Sequence, residues 1–386
     1  MHTTIRQEIS VQYEYPVVFT RQIFSRHNDA LMKVLGNAAT TGTSPRVLVL
    51  VEACLIDLMP ALASDIHYYM RTCLDQLSFA GLHGVEAGEP VKSIARSAMF
   101  VDFIAAAGLD RHSYVIAIGG GALLDAVGYA ASLVHRGVRM IRVPTTVLSQ
   151  CDGGVGVKNA INTPDGKNFL GTFAPPYAVI NDLDFLKTLP DSEWRAGIAE
   201  AFKVAMIKDE AFLDWLCTNA EALGRRDESA MEHLVYRCAE LHLQHIKSGG
   251  DPFEKGTSRP LDYGHWSAHQ IERMTNYSIG HGAAVATGIA LDALYAVAVG
   301  ILSRDVAEKL IHGLESVGFA LWHDALDSAD ELLSGLERFR EHLGGQLSIT
   351  LPCAAGRSLE INTVSETMMR ACIQQLAART RVASCT

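Results

Sequence analysis

Short β-rich runs alternate with helical stretches through the first half of this chain, and then the alternation stops. RVLVLVE (Arg46–Glu52), a weaker run near Gly84–Ala87, YVIAI (Tyr114–Ile118), MIRVPTT (Met140–Thr146) and YAVIND (Tyr177–Asp182) read as strands. Helical stretches lie between them, ending near Leu77, over about Glu89–Ala107 and over Ala122–His135. Alternation at this spacing means βαβ crossovers and a mostly parallel sheet. After FLKTLP (Phe185–Pro190) the chain is rich in Ala, Leu, Glu and Arg with helical periodicity, and LSITLP (Leu347–Pro352) is the one short exception. The expected architecture is an α/β, Rossmann-like domain over residues 1–185 and a helical domain over 186–386, with a cleft between them. A length of 386 residues also exceeds what one core commonly reaches.

Composition narrows the classes of function. Hydrophobic residues make up 48% and charged residues 20%, as in a globular protein. The formal net charge of −10 gives no electrostatic footprint for nucleic acid or an anionic membrane, so neither is an expected partner. The eight cysteines form no CxxC pair, which suits a reducing compartment. The N-terminus lacks a continuous apolar run, and the longest apolar stretch, Val285–Leu302, is interrupted by Asp292 and reads as a buried helix. A cytoplasmic location is the expectation.

Four clusters carry chemistry. Gly119, Gly120 and Gly121 follow a strand and precede a helix, where backbone can approach a pyrophosphate at the helix N-terminus; a plain tight turn is the bland alternative. Asp125, one turn further on, could meet a ligand hydroxyl or simply complement the helix N-terminus. Asp152–Asn168 holds four glycines and two lysines, a composition that suits phosphate, or else a solvated surface loop. Glu200 and Lys203 share one helix face, as most surface ion pairs do. His265 and His269 at i, i+4, with His281 from the next segment, form a metal-ligand set to which Glu200 can add an oxygen.

These motifs, taken in order from Arg46 to Gly282, resemble the 3-dehydroquinate synthase superfamily, the sugar phosphate cyclases. The resemblance is carried by GGGALLDAVGYAASLVHRG, VPTTVLSQCDGGVGVKNAIN, GKN, FLKTLP, GIAEAFK, GH(x3)H and HG. It implies an NAD-binding α/β domain, a helical metal-binding domain, a divalent metal (zinc, or cobalt) and a homodimer. By motif, Glu200, His265 and His281 fall on the metal-ligand positions. Glu52, Glu89, Lys92, Gly119–Gly121 and Asp125 fall on NAD contacts, with Thr145, Thr146, Lys167 and Thr188 as additions. Asp152, Lys158, Lys167, Asn168, Lys203 and His269 fall on substrate or catalytic positions, and Arg136 matches an arginine that reaches the neighbouring subunit's phosphate pocket. The implied reaction oxidises an alcohol with NAD, eliminates phosphate, returns the hydride and closes a carbocycle by an intramolecular aldol step.

Departures from the family pattern bear on the substrate. The upstream carboxylate-binding lysine position reads Leu243-Gln244-His245, with Lys247 displaced, and Arg259 lies one residue out of register. No lysine follows Lys309, and the counterpart of the family's C-terminal lysine pair reads REHLGGQLSITLP with His342, as in the valiolone-type synthases. Asp262 replaces an asparagine, again valiolone-like, whereas the retained His269 is not; Ala283 stands where the family has glutamate. The segment Gly249–His269 is most similar to an EboD-type, 3-dehydroquinate-synthase-like branch. A substrate carboxylate would here be buried without cationic partners, so a neutral, sedoheptulose 7-phosphate-like ketose phosphate is expected, with Arg259 and His342 as substrate-side candidates. The alternatives are a diverged 3-dehydroquinate synthase, a metal-dependent polyol dehydrogenase, and a scaffold that has kept the fold.

Overall fold

The computed structural model of the chain describes residues 2–36, 44–72, 77–164, 166–249, 260–342 and 345–383. The first half runs β1 (Val17–Thr20), α1 (Ala30–Leu35), β2 (Arg46–Glu52), α2 (Ala53–Leu58), α3 (Leu62–Thr72), β3 (Ser78–Val85), α4 (Ile94–Ala106), β4 (Tyr114–Gly119) and α5 (Gly121–Leu133). It continues with β5 (Arg139–Pro144), α6 (Val147–Cys151), the hairpin β6 (Lys158–Thr163) and β7 (Gly166–Phe173), and β8 (Ala178–Asp182). Six of these strands form one parallel sheet in the order β1-β8-β5-β4-β2-β3.

The apolar runs are continuous because helices cover both faces of the sheet. Val47, Val49 and Val51 pack with Ile66 and Tyr69 on one side, while Leu48 and Leu50 pack with Phe100, Leu124 and Val127 on the other. The chain leaves β2 toward β3 and then returns to place β4 on β2's other side. This reversal opens a crevice at the C-terminal ends of β2 and β4, where Glu52 and Gly119 stand. Open α/β sheets bind ligands at such switch points.

The second half contains α7 (Asp191–Lys208), α8 (Glu210–Gly224), α9 (Glu228–Gln244), α10 (His265–Met274), α11 (His281–Ala298), α12 (Arg304–Val317), α13 (Ala329–His342) and α14 (Glu366–Ala383), with a hairpin of β9 (Ile349–Ala354) and β10 (Arg357–Ile361). Helix α7 is buried on nearly every face and forms the middle of this half. Helix α11 is long and apolar enough to cross a membrane, but most of it is buried within this core. It packs against α7 at a distance only glycine permits, since a Cβ on Gly282 would lie 2.2 Å from the Ala196 Cα. Likewise, a Cβ on Gly288 would lie 2.0 Å from the Gly264 carbonyl, so the start of α10 also closes on α11. These two contacts bring three separate histidine- and carboxylate-bearing segments together.

The α/β-then-helical plan matches the expectation, with four differences. The weak run expected near Gly84–Ala87 is only the end of a longer strand, β3, over Ser78–Val85. The segment Asp152–Asn168 is not one long loop: only its first part is irregular, and the rest forms β6 and the start of β7. Strand β1 (VVFT), a short edge strand of half-buried residues, is not among the expected strands. The second half carries the β9–β10 hairpin, of which LSITLP is one arm.

Candidate active site

On the helical wall, Glu200 and Lys203 project from the middle of α7, His265 opens α10 and His281 opens α11. Glu200 and Lys203 are 1% and 2% exposed, so they are not a surface pair. The ligand atoms of Glu200, His265 and His281 all lie within 4.8 Å of one another. His265 Nε2 and His281 Nε2 stand 3.5 and 3.4 Å from the same Glu200 oxygen. His265 Nδ1 is 3.1 Å from the Tyr263 carbonyl, which takes the ring N–H and turns the Nε2 lone pair toward Glu200. His281 Nδ1 faces Glu272 at 3.5 Å in the same manner. Two imidazole nitrogens and one carboxylate, each oriented from behind, fit a divalent cation with an open position.

Lys203 Nζ lies 2.5 Å from the other Glu200 oxygen and 3.5 Å from Asp152, and Asp152 in turn faces His242 Nδ1 at 3.3 Å. Burial pushes both carboxyls up, but Lys203 with His265 and His281 outweighs it at Glu200, and His242 with Lys203 outweighs it at Asp152, so both lie below their ordinary values. At His281, burial is outweighed by Glu200 and Glu272, and the imidazole is pushed up to about 9. The His269 ring completes a triangle, 5.5 Å from His265 and 6.0 Å from His281, and is half-exposed. Its Nδ1 is 3.3 Å from Glu272. Asp262, half-buried in the turn before α10, adds negative charge near Lys203.

The sheet wall is built mostly of backbone. Gly120 caps α5 without a side chain, and a Cβ on Gly121 would meet nothing within 4 Å, so the helix N-terminus opens onto free space. That cradle suits a dinucleotide pyrophosphate. Glu52 turns back toward the Gly120 and Gly88 amides; burial nonetheless raises its carboxyl. The Thr145 amide donates to the Gly119 carbonyl at 3.0 Å, and Thr146 caps α6 in a reciprocal box with Ser149. Lys92 donates to Asp125 at 2.7 Å and to Asn168 Oδ1. Asn162 links Glu89 (2.7 Å) to the Asn168 amide (2.8 Å), so Glu89, Lys92, Asp125 and Asn168 form one network. Lys167 reaches across the cleft, 3.8 Å from Glu272 and 4.3 Å above the Tyr277 ring centre. Lys158 is exposed at the start of β6.

Thr188 donates its hydroxyl to the Phe185 carbonyl, 2.7 Å away, so only the oxygen's lone pairs are left for a ligand. Arg136 is exposed in a left-handed turn after α5, at the opposite end of the sheet from the glycine turn. Arg259 lies outside the described residues, and so does the side chain of His342 at the end of α13. The sequence reading missed Glu272, His242 and Arg142. Glu272 was readable as a carboxylate at i+3 from His269, and Arg142 as a cation inside the apolar run MIRVPTT; His242 left no signal.

A parallel sheet with a glycine turn at its switch point, facing a two-histidine, one-carboxylate donor set, defines an enzyme that uses a dinucleotide and a divalent metal in one cleft. Which enzymes share this frame is clear from the sequence as a whole. The chain belongs to the 3-dehydroquinate synthase family, whose N-terminal and C-terminal models match residues 83–196 and 197–338. It is 35% identical to the 3-dehydroquinate synthase of Pelotomaculum thermopropionicum over 283 residues, covering 73% of this chain and 76% of that one. It is 33% identical to the 2-epi-valiolone synthase of Actinosynnema mirum over 300 residues, 77% and 78% of the two chains. The 2-epi-5-epi-valiolone synthase from Streptomyces hygroscopicus subsp. jinggangensis 5008, solved with NAD+ and Zn2+ bound, superposes with a TM-score of 0.85 at 27% identity, over 97% of this chain and 100% of that one.

Proposed function

We propose that the chain is an NAD- and metal-dependent sugar phosphate cyclase, a carbon–oxygen lyase that eliminates phosphate from a neutral ketose phosphate such as sedoheptulose 7-phosphate and closes a carbocycle. The observation that carries this reading is the meeting of Glu200, His265 and His281 beside the buried Lys203–Asp152 pair. In this reading those three residues hold the metal, while Gly119–Gly121, Glu52, Glu89, Lys92, Asp125, Thr145, Thr146 and Thr188 line the NAD site. The domain boundary falls at 185/186.

When bound, NAD supplies reversible hydride transfer at a secondary alcohol and the metal polarises that oxygen. The chain's own residues do the rest. Lys203 holds positive charge between Glu200 and Asp152, so both carboxylates stay ionised and an alcohol entering beside them finds a donor and an acceptor. Asp152, backed by His242, accepts and returns a proton. Lys158, Lys167 and Asn168 surround the phosphate and stabilise the leaving dianion. His269, beside His265 and His281, and Asp262, near Lys203, would orient the sugar hydroxyls. Arg136, remote from its own site, enters the neighbouring subunit's phosphate pocket in a homodimer, and the location is cytoplasmic.

The residues at the carboxylate positions support a neutral substrate, with Lys247 displaced and Arg259 out of register. Leu243 is half-buried, and His245 is held down to about 4 by burial and by Lys208, so it is uncharged at neutral pH. The test is phosphate release by the NAD- and zinc-loaded enzyme from sedoheptulose 7-phosphate and from the shikimate-pathway heptulosonate phosphate. Release from the first alone is expected; release from the second alone would make the chain a diverged 3-dehydroquinate synthase.

A further inference from the structure

Arg142, on β5, is a fully buried charged side chain that the proposed reaction does not use. Its Nη1 donates to the carbonyls of Gly153 (3.2 Å), Gly154 (3.2 Å) and Gly156 (2.9 Å). Its Nη2 donates to the Lys158 carbonyl (3.0 Å) and to Asn159 Oδ1 (2.7 Å). No carboxylate among the described residues pairs with it, and the Asp125 carboxylate acts on it only from a distance. A buried guanidinium without a counter-ion is expensive unless its donors are engaged. Here both Nη groups are engaged while the buried Nε has no partner, and four of the five acceptors are main-chain carbonyls of one short segment, whose ends are Asp152 and Lys158.

The same segment is held from two further sides. The Tyr15 hydroxyl donates to the Val155 carbonyl at 2.9 Å. Asn159 approaches α5 only because residue 128 is glycine, since a Cβ there would lie 1.8 Å from Asn159 Oδ1. Arg142 therefore ties the helix that opens at the glycine turn, through Asn159, to the segment that presents Asp152 to Lys203. A planar fork with five N–H donors can gather such a set; a lysine ammonium, with three donors on one atom, cannot span it.

We propose that Arg142 is the positioning residue of the substrate segment: it fixes the separation of Asp152 from Lys158 and, carrying a charge no carboxylate neutralises, favours a phosphate dianion over that segment. The inference rests on the assignment of Asp152 and Lys158 as substrate contacts made above.

Two readouts of Arg142→Gln in the NAD- and zinc-loaded protein test it. Hydrogen exchange of amides 152–159 is expected to accelerate while the glycine turn keeps its protection and NAD affinity is unchanged. For phosphate release from sedoheptulose 7-phosphate, KM rises about tenfold and kcat falls about a hundredfold, the effect of an ångström-scale misplacement. Arg142→Lys, which keeps the charge but not the fork, restores most of KM and little of kcat. A folded Arg142→Gln with unchanged exchange and unchanged kinetics overturns the inference. If Arg142→Gln does not fold, Arg142→Lys decides by the same exchange readout: faster exchange confined to 152–159 supports the role, and an unchanged pattern refutes it. If the wild-type protein releases phosphate from no ketose phosphate, the functional reading falls, and the exchange arm still decides the positioning role.

Discussion

Across the cleft, the two walls are built of different materials. At the sheet edge the contacts are main-chain amides, three glycines and a helix N-terminus left bare, with Lys92 and Asp125 as the nearest charged pair. On the helical wall the contacts are side chains: Glu200, Lys203, Asp152, His265, His281 and Glu272 in one continuous set of charges. The first arrangement needs space and places little charge of its own, as suits a ligand that brings its own phosphates. The second concentrates charge at low exposure, where each member is stable only while its neighbours remain. A single substitution should therefore be costly on the helical wall and local on the sheet wall.

The largest expected effect tests the helical wall directly. Glu200→Ala leaves Lys203 buried opposite Asp152 alone, and should cost about 3–5 kcal/mol of stability together with the bound metal. Denaturant unfolding and metal analysis check both. Glu272→Gln removes the carboxylate behind His281 and His269 and should lower metal affinity about 10–100-fold, with NAD affinity unchanged. An equal loss of NAD affinity would show that the walls are not independent.

On the sheet wall, Gly121→Ala places a Cβ in the open space at the helix N-terminus and should weaken NAD about tenfold, or about 1.4 kcal/mol, with metal content intact. The smallest effect is in pH. Burial and nearby Lys208 lower His245 from 6.5 to about 4, so the folded chain binds fewer protons than the unfolded chain between those values. That contribution to stability is complete above pH 6.5 and is lost as the pH falls toward 4. His245→Gln should flatten the decline by about 1 kcal/mol after solvent screening. His242, lowered by burial in the same direction, retains its share.

How much of this was legible in the sequence follows the same division. The sheet wall could be read from a strand, three glycines and a helix, because the site is local and its signal is contiguous. The metal donors could be read from His265 and His281 near glycines, with Glu200, 65 residues before His265, only one possible added carboxylate until the family resemblance put it on a ligand position. What sequence could not show is depth. Glu200–Lys203 has the spacing of an ordinary surface pair, and only the packing of α7 against α11 at Gly282 reveals that it is buried. His242 acts through helix contacts with no fixed spacing, so no local pattern announced it, and Arg142 stood out only as a cation in an apolar run, with nothing local to show its partners. The glycine-rich segment suggested a loop because glycine and lysine are poor strand formers, yet its second half pairs as β6–β7.

If the two walls act on one substrate within one turnover, the cofactor reduced early is reoxidised before release. The direct measurement follows inorganic phosphate and NADH together in one assay, with enzyme, zinc, sedoheptulose 7-phosphate and NAD at a concentration near that of the enzyme. Many phosphates released per NAD, with no build-up of NADH, are the expected result. NADH accumulating in step with substrate consumption and no phosphate released would contradict it, and would make the chain a metal-dependent polyol dehydrogenase on the same frame.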